Sequence, residues 1–225
     1  HLLSRRQRQM CIRDRRMGLQ AEDMELAKLI ALLHDIGRFE QLKRFNSFEA
    51  DTMDHATYGV KVLFEEGMIR QFIEEDTWDD VIRTAIAKHS DYELTGITDE
   101  RTLLHARLIR DADKLDNCRV KLEDAMETLL DLSADEVGKY AISPKVREDA
   151  FAGKCICSKD RRTPMDYWVS YVAYFYDLNF QETLDIVAEE QYVKRIIGRV
   201  PYTNEQTKKT MEELERQLTE YVRRK

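Results

Sequence analysis

The residues best suited to chemistry are an adjacent histidine and aspartate, His34 and Asp35. They follow the apolar run Ala31-Leu32-Leu33, and Gly37 lies two residues further on. Aspartate is rarely buried unless it is paired or bound to a metal, so a doublet that closes an apolar segment needs partners. Further imidazole and carboxylate groups occur downstream, at His55, His89 and Asp113. Helical bundles build metal sites from such groups on several helices, and the sequence therefore predicts a metal-dependent hydrolase.

The types of ligand narrow the choice of metal. Imidazole and carboxylate groups suit Mn²⁺, Fe²⁺, Co²⁺, Ni²⁺ or Zn²⁺, and Mg²⁺ takes carboxylates. No thiolate belongs to the predicted set, which disfavours a structural zinc site. A carboxylate can bridge two ions, and two ions can activate water and stabilise a leaving oxygen in phosphoester hydrolysis. We expect one or two divalent ions, held by His34, Asp35, His55, His89 and Asp113.

Composition restricts the class of protein. The 225 residues include 43% hydrophobic and 35% charged side chains, which is typical of a globular chain, and 3 Pro and 8 Gly favour long helices. A net charge of −7 argues against general nucleic-acid binding. No apolar run approaches bilayer length and no secretory signal is visible, so we expect a cytoplasmic protein without a membrane partner. Cys155-Ile-Cys157 lacks a second thiol pair, and reduced thiols are the expectation.

Apolar periodicity predicts the elements. Helices are expected from Gln20 to the doublet and over 54–66, 78–89, 99–110, 114–132, 165–178, 182–190 and 203–224, with a polar and aromatic loop over 38–53. The aromatic residues of 165–178 are interpreted as core. Residues 1–16 are rich in Arg and lack a helical stripe, and we interpret them as a non-native or disordered leader.

The motifs resemble a known family. His34-Asp35 after an apolar helix, followed by Ala112-Asp113-Lys114-Leu115, is similar to the HD-domain phosphohydrolase superfamily, and HDIGRFEQ, DHATYGVKVLFEEG and LIRDADKLD resemble one bacterial branch of it. The resemblance implies an all-α HD-domain helical bundle with additional C-terminal helices, and hydrolysis of phosphate esters with one or two divalent metals. It places the HD-domain core at 17–135 and a helical extension, packed on that core, at 136–225.

Carried onto this chain, the resemblance makes His34, Asp35 and Asp113 the core ligands. His55 and His89 match histidines that hold a second metal or a phosphate. The family's first histidine falls near His1, inside the suspect leader. The Gly-Tyr-Pro signature of the cyclic-dinucleotide phosphodiesterases is missing here, which disfavours that substrate.

Several nearby residues have two interpretations. Arg38 and Lys114 could clamp a substrate phosphate or form surface ion pairs, and Glu40 could orient water beside Asp35 and Arg38 or be solvated. His105 is expected to pack in the core or to bond a main-chain carbonyl rather than to bind metal. Asp111 and Asp116 could support the histidine ligands or pair with Arg110, Lys114 or Arg119.

Three functions follow from these residues. The first is a phosphohydrolase acting on a small phosphorylated molecule, such as a nucleotide. The second is an HD-type di-iron oxygenase, and the third is a non-catalytic nucleotide-binding sensor with an incomplete metal site. The oligomeric state is left open by the sequence.

Overall fold

The protein is helical throughout the part that is described. A computed structural model describes residues 16–48 and 52–224, and no strand occurs among them. The predicted all-α fold class is therefore confirmed. None of the helices in these two ranges has the length and apolar character needed to cross a bilayer. The chain divides after Asp113 into two compact units, called here the N-terminal unit and the C-terminal unit.

The N-terminal unit packs short helices around an aliphatic core. Its helices are α1 (Ala21–Leu33), α2 (Arg38–Phe45), α3 (His55–Val60, continued by a π-helical turn, Lys61–Glu65), α4 (Asp79–Lys88) and the first part of α5 (Glu100–Glu123). In α1, Leu26, Ile30 and Leu33 recur at helical spacing and are buried, and acidic residues occupy the first turn. As predicted, α1 ends at the doublet, because His34 is its C-cap.

Two expectations about the elements are wrong. The predicted loop 38–53 contains α2, which Asn46 ends in the left-handed conformation, with Lys43 and Arg44 in the last turn where cations suit the helix dipole. The helices predicted at 99–110 and 114–132 are a single helix, α5, up to Glu123, followed by a short helix at Met126–Leu130. No Gly or Pro interrupts α5, and its charged residues find partners such as the Asp116–Arg119 pair.

A close backbone crossing joins α2 to α3. A Cβ atom built on Gly37 would lie 2.0 Å from the carbonyl oxygen of His55 and 2.9 Å from the amide nitrogen of Gly59. No side chain fits at that distance, so Gly37 is required by contact rather than by its backbone angles. The crossing brings the start of α3, and with it His55, against the turn that carries the doublet.

The C-terminal unit has a larger, aromatic-rich core. Its helices after α5 are α6 (Met126–Leu130), α7 (Ala134–Val137), α8 (Pro144–Phe151), α9 (Pro164–Ala173), α10 (Gln181–Glu189), α11 (Tyr192–Ile197) and α12 (Glu205–Arg224). Trp168 and Phe175 are fully buried with Met165 and Leu184, which agrees with the interpretation of this segment as core. The buried carboxylate of Asp166 accepts hydrogen bonds from Ser143, Arg162 and Thr163, so its charge is compensated.

Part of the predicted organisation is untested. The boundary proposed after residue 135, and the packing of 136–225 on the core, stay predictions. Residues 1–15 of the proposed leader, including His1, lie outside the described residues.

The crossing at Gly37 gives the first prediction. Gly37→Ala must push α2 away from α3, and we expect it to lower the free energy of unfolding by about 1–3 kcal/mol. Gly59→Ala is the control, because its Cβ would meet the flexible Ile36 side chain at 3.3 Å, the Gly37 nitrogen at 3.5 Å and the His34 carbonyl oxygen at 3.8 Å, all without a clash. We expect that variant to change stability by less than about 1 kcal/mol. Urea unfolding of both variants measures the difference, and equal stabilities would show that the crossing tolerates a side chain.

Candidate metal centre

The two buried histidines at helix ends are oriented by the same local device. His34 is the C-cap of α1 and His89 is the C-cap of α4. The Nδ1 atom of His34 lies 2.9 Å from the Ala31 carbonyl oxygen, and that of His89 lies 2.7 Å from the Ile86 carbonyl oxygen. A carbonyl only accepts, so Nδ1 carries the proton in both rings. Each Nε2 atom is therefore left with its lone pair directed at the interior, which is the metal-binding form of histidine.

Asp35 lies between these rings. Its Oδ2 atom is 3.4 Å from Nε2 of His34, and its Oδ1 atom is 3.4 Å from Nε2 of His55 and 3.8 Å from Nε2 of His89. The nitrogens of His55 and His89 are 3.0 Å apart. The two oxygens of one carboxylate thus face different imidazoles, an arrangement in which it can bridge two ions.

The cluster of His34, Asp35, His55 and His89 is called here the centre. Asp113 joins it from α5. Its Oδ1 atom lies 3.7 Å from Nε2 of His34. His55 enters at the first residue of α3, whose N-cap Asp54 accepts hydrogen bonds from the Thr57 amide and hydroxyl. The five predicted ligands therefore come together although α1, α3, α4 and α5 carry them, while their roles as ligands stay predictions.

The spacing and chemistry of these groups fit a divalent cation. Ligand nitrogens at about 2.0–2.1 Å from one ion lie roughly 3–3.5 Å from one another, close to the separations seen here. A ligand atom from each of His34, Asp35 and His89 lies within 4.8 Å of the other two. The Nε2 atom of His34 is buried and makes no hydrogen bond within residues 16–48 and 52–224. A buried polar atom without a partner is rare, and a cation would satisfy it.

Protonation equilibria follow from burial and charge. Burial, followed by the charge of Arg38, lowers the pKa of His55 to about 4, so this ring is neutral at neutral pH. Burial opposes ionisation of Asp35, but the contact with His89 and the charges of His34 and Arg38 outweigh it and lower its pKa. Burial also disfavours a charged His34, yet Asp113 and Asp35 overcome this and raise its pKa. The centre thus offers anionic carboxylates and at least one neutral imidazole.

The family assignment agrees with this geometry. The model of the family described as HD domain matches residues 8–118. The chain contains an HD domain. HD domains are generally metal-dependent hydrolases, and the matched range includes all five residues of the centre. No curated protein and no solved structure was found to match the chain.

The other predicted site residues of the HD domain have different surroundings. Nε of Arg38 lies 3.5 Å from Oδ1 of Asp35, beside the centre. Glu40 pairs on its own helix with Arg44 at 2.7 Å. In the C-terminal unit, Lys114 pairs with Asp177 at 2.7 Å. The catalytic role of Glu40 and the substrate-binding role of Lys114 stay predictions.

Two groups near the centre were missed by sequence reasoning. Gln41 is fully buried and accepts a hydrogen bond from Arg38 at 2.8 Å, while donating to Thr52. Arg110 is buried, and its guanidinium donates to the main-chain carbonyls of Lys88 and His89 at the end of α4. His105 packs in the core as predicted, with Nε2 3.0 Å from Asp23. Glutamine and arginine in a helical pattern carry no signal of burial, so the sequence could not reveal the first two.

Asp35→Asn tests the central carboxylate. The amide keeps the shape but loses the charge that His34, His89 and Arg38 stabilise, so we expect the metal-free variant to unfold more easily by about 1–3 kcal/mol. A neutral oxygen is also a weak ligand, and Mn²⁺ affinity should fall at least about 100-fold. Urea unfolding in chelator and calorimetric titration with Mn²⁺ measure the two effects.

Asp23→Asn is the matched control for this prediction. Asp23 pairs with Arg101 at 2.8 Å and with His105, outside the centre. We expect its loss to lower stability and leave Mn²⁺ affinity within about twofold. Equal affinities of wild type and Asp35→Asn would remove Asp35 from the ligand set.

Proposed function

We propose that the protein is a metal-dependent phosphohydrolase that acts on a small phosphorylated molecule, such as a nucleotide. The observation that carries this proposal is the buried, unpartnered Nε2 atom of His34 beside the carboxylates of Asp35 and Asp113. A hydrolase of this kind needs anionic and imidazole ligands gathered at one point, with one side open to substrate. Asp35 keeps about a third of its side chain exposed, so the point is reachable from outside.

Two groups of residues would hold metal. His34, Asp113 and Oδ2 of Asp35 form one group, and His55, His89 and Oδ1 of Asp35 form the other. The ligand types admit Mn²⁺, Fe²⁺, Co²⁺, Ni²⁺, Zn²⁺ or Mg²⁺, and one or two ions. A bound divalent cation supplies a lowered pKa for water and stabilises charge on phosphate oxygens.

The remaining chemistry comes from Arg38. Its Nη1 atom donates to Gln41 at 2.8 Å and to the Phe48 carbonyl at 3.0 Å, which holds the guanidinium at the edge of the centre. A guanidinium there binds a phosphate group and neutralises charge that develops on its oxygens. Glu40 is paired with Arg44, and Lys114 is paired with Asp177. Each would have to break that ion pair to take part in the reaction.

The setting of the reaction is also a proposal. Among the described residues, the cysteines at 118, 155 and 157 form no disulfide, which suits a reducing compartment, and we place the protein in the cytoplasm. The net charge of −7 supports a small-molecule substrate rather than nucleic acid.

A phosphatase screen with one matched pair of variants tests the proposal. The protein is stripped with chelator, reloaded with each of the six metals in turn, and assayed against nucleotides and sugar phosphates. We expect activity with at least one metal, and a loss of at least about 100-fold in kcat/KM for His34→Gln. His105→Gln replaces another buried histidine of the same unit, and we expect it to keep activity within about threefold.

Other outcomes would redirect the assignment. Bound iron with oxygen consumption and no phosphatase activity would favour the di-iron oxygenase. Nucleotide binding without metal retention would favour the sensor. Equal activity of wild type and His34→Gln would contradict the proposed centre.

A further inference from the structure

Arg110 contacts the main chain that carries His89, at the end of α4. Its side chain is buried, at 2% exposure for the residue. Nη1 donates to the carbonyl oxygens of Lys88 at 3.2 Å and His89 at 3.3 Å and also to that of Asp91, and Nη2 donates to that of Tyr92 at 3.4 Å. One guanidinium thus binds four main-chain carbonyls within the five residues Lys88 to Tyr92, where α4 ends.

These contacts have a clear physical basis. The last carbonyls of a helix lack partners within the helix, and a cation at that end suits the helix dipole. A guanidinium taken out of water is costly unless its donors find acceptors, and the carbonyls at the end of α4 accept from both of its terminal nitrogens. Breaking such an arrangement leaves either a buried charge or orphaned carbonyls.

We infer that Arg110 is a positioning residue that sets where the His89 imidazole stands in the centre. The ring is fixed at Nδ1 by the Ile86 carbonyl, and Arg110 fixes the main chain that carries it. The bond from Lys88 Nζ to Asp91 Oδ2, at 2.9 Å, is local to the segment after α4, whereas the bonds of Arg110 reach this segment from α5. Loss of Arg110 removes these bonds from α5. The Nε2 atom of His89 would then lose its defined separation from His55 and Asp35.

The position of Arg110 on α5 links the placement of His89 to that of Asp113. Asp113 follows Arg110 by three residues, so the two lie on one face of the same helix. One turn of α5 therefore delivers the Asp113 carboxylate and also holds His89. The inference rests on the proposed function where it treats His89 as a metal ligand.

Cobalt binding gives the first test. Arg110→Met and Arg110→Lys are titrated with Co²⁺, whose visible spectrum reports ligand geometry. We expect Arg110→Met to bind Co²⁺ about 10–100-fold more weakly with an altered spectrum, and Arg110→Lys to recover part of the affinity. The matched control is Arg199→Met, because Arg199 donates to the Lys121 carbonyl and, at 2.9 Å, to that of Asp124, in the C-terminal unit. It should leave affinity and spectrum unchanged.

A second readout does not depend on metal. The chain has five histidines, so ¹⁵N spectra of histidine-labelled protein are simple to assign. We expect the wild-type His89 ring to show a proton fixed on Nδ1, and Arg110→Met to shift or average that signal while His105 is unchanged. If Arg110→Met does not fold, Arg110→Lys is measured in its place.

The outcomes separate the two claims. Wild-type protein that binds no Co²⁺ would contradict the proposed function, and the ¹⁵N signals would then decide the role of Arg110 alone. A folded variant with wild-type His89 signals would overturn the inference, as would unchanged Co²⁺ affinity in a chain that binds the metal.

Discussion

The arrangement of polar side chains inside the N-terminal unit depends on how the negative charge of the Asp35 carboxylate is compensated. Its Oδ2 atom faces the His34 imidazole and its Oδ1 atom faces that of His55. The guanidinium of Arg38 lies beside Oδ1. A carboxylate that is mostly removed from water stays ionised only where positive charges, hydrogen-bond donors or a bound cation surround it. The placement of α1, α3, α4 and α5 around it can be understood as meeting that single requirement.

The backbone meets the requirement with few specialised features. Gly37 lets α3 approach the turn of the doublet closely enough for His55 to reach Asp35. The C-caps of α1 and α4 use carbonyl groups to set the ring protons of His34 and His89. Arg110 occupies the carbonyls that remain after α4. At each of the two C-caps, one hydrogen bond both satisfies a main-chain carbonyl and orients an imidazole.

The sequence predicted the parts of this design that depend on residue type and apolar period. Apolar spacing and motif residues correctly predicted three features: the all-α class, the end of α1 at His34 and the burial of His105. Helix α2 was missed, since aromatic and charged residues in a short segment are typical of loops as well. Three-dimensional partners also escaped prediction, because a sequence does not show that Glu40 pairs with Arg44 or that Arg110 donates to the carbonyls of Lys88 and His89.

The continuity of α5 has a consequence for dividing the protein. The two units meet within a helix, after Asp113, and not at a linker. A fragment ended at that boundary would carry Asp113 in a terminal turn, where helices fray because their last carbonyls have no partners. Excising the N-terminal unit for study therefore needs the whole of α5, to Glu123, so that the helix end lies well beyond the carboxylate.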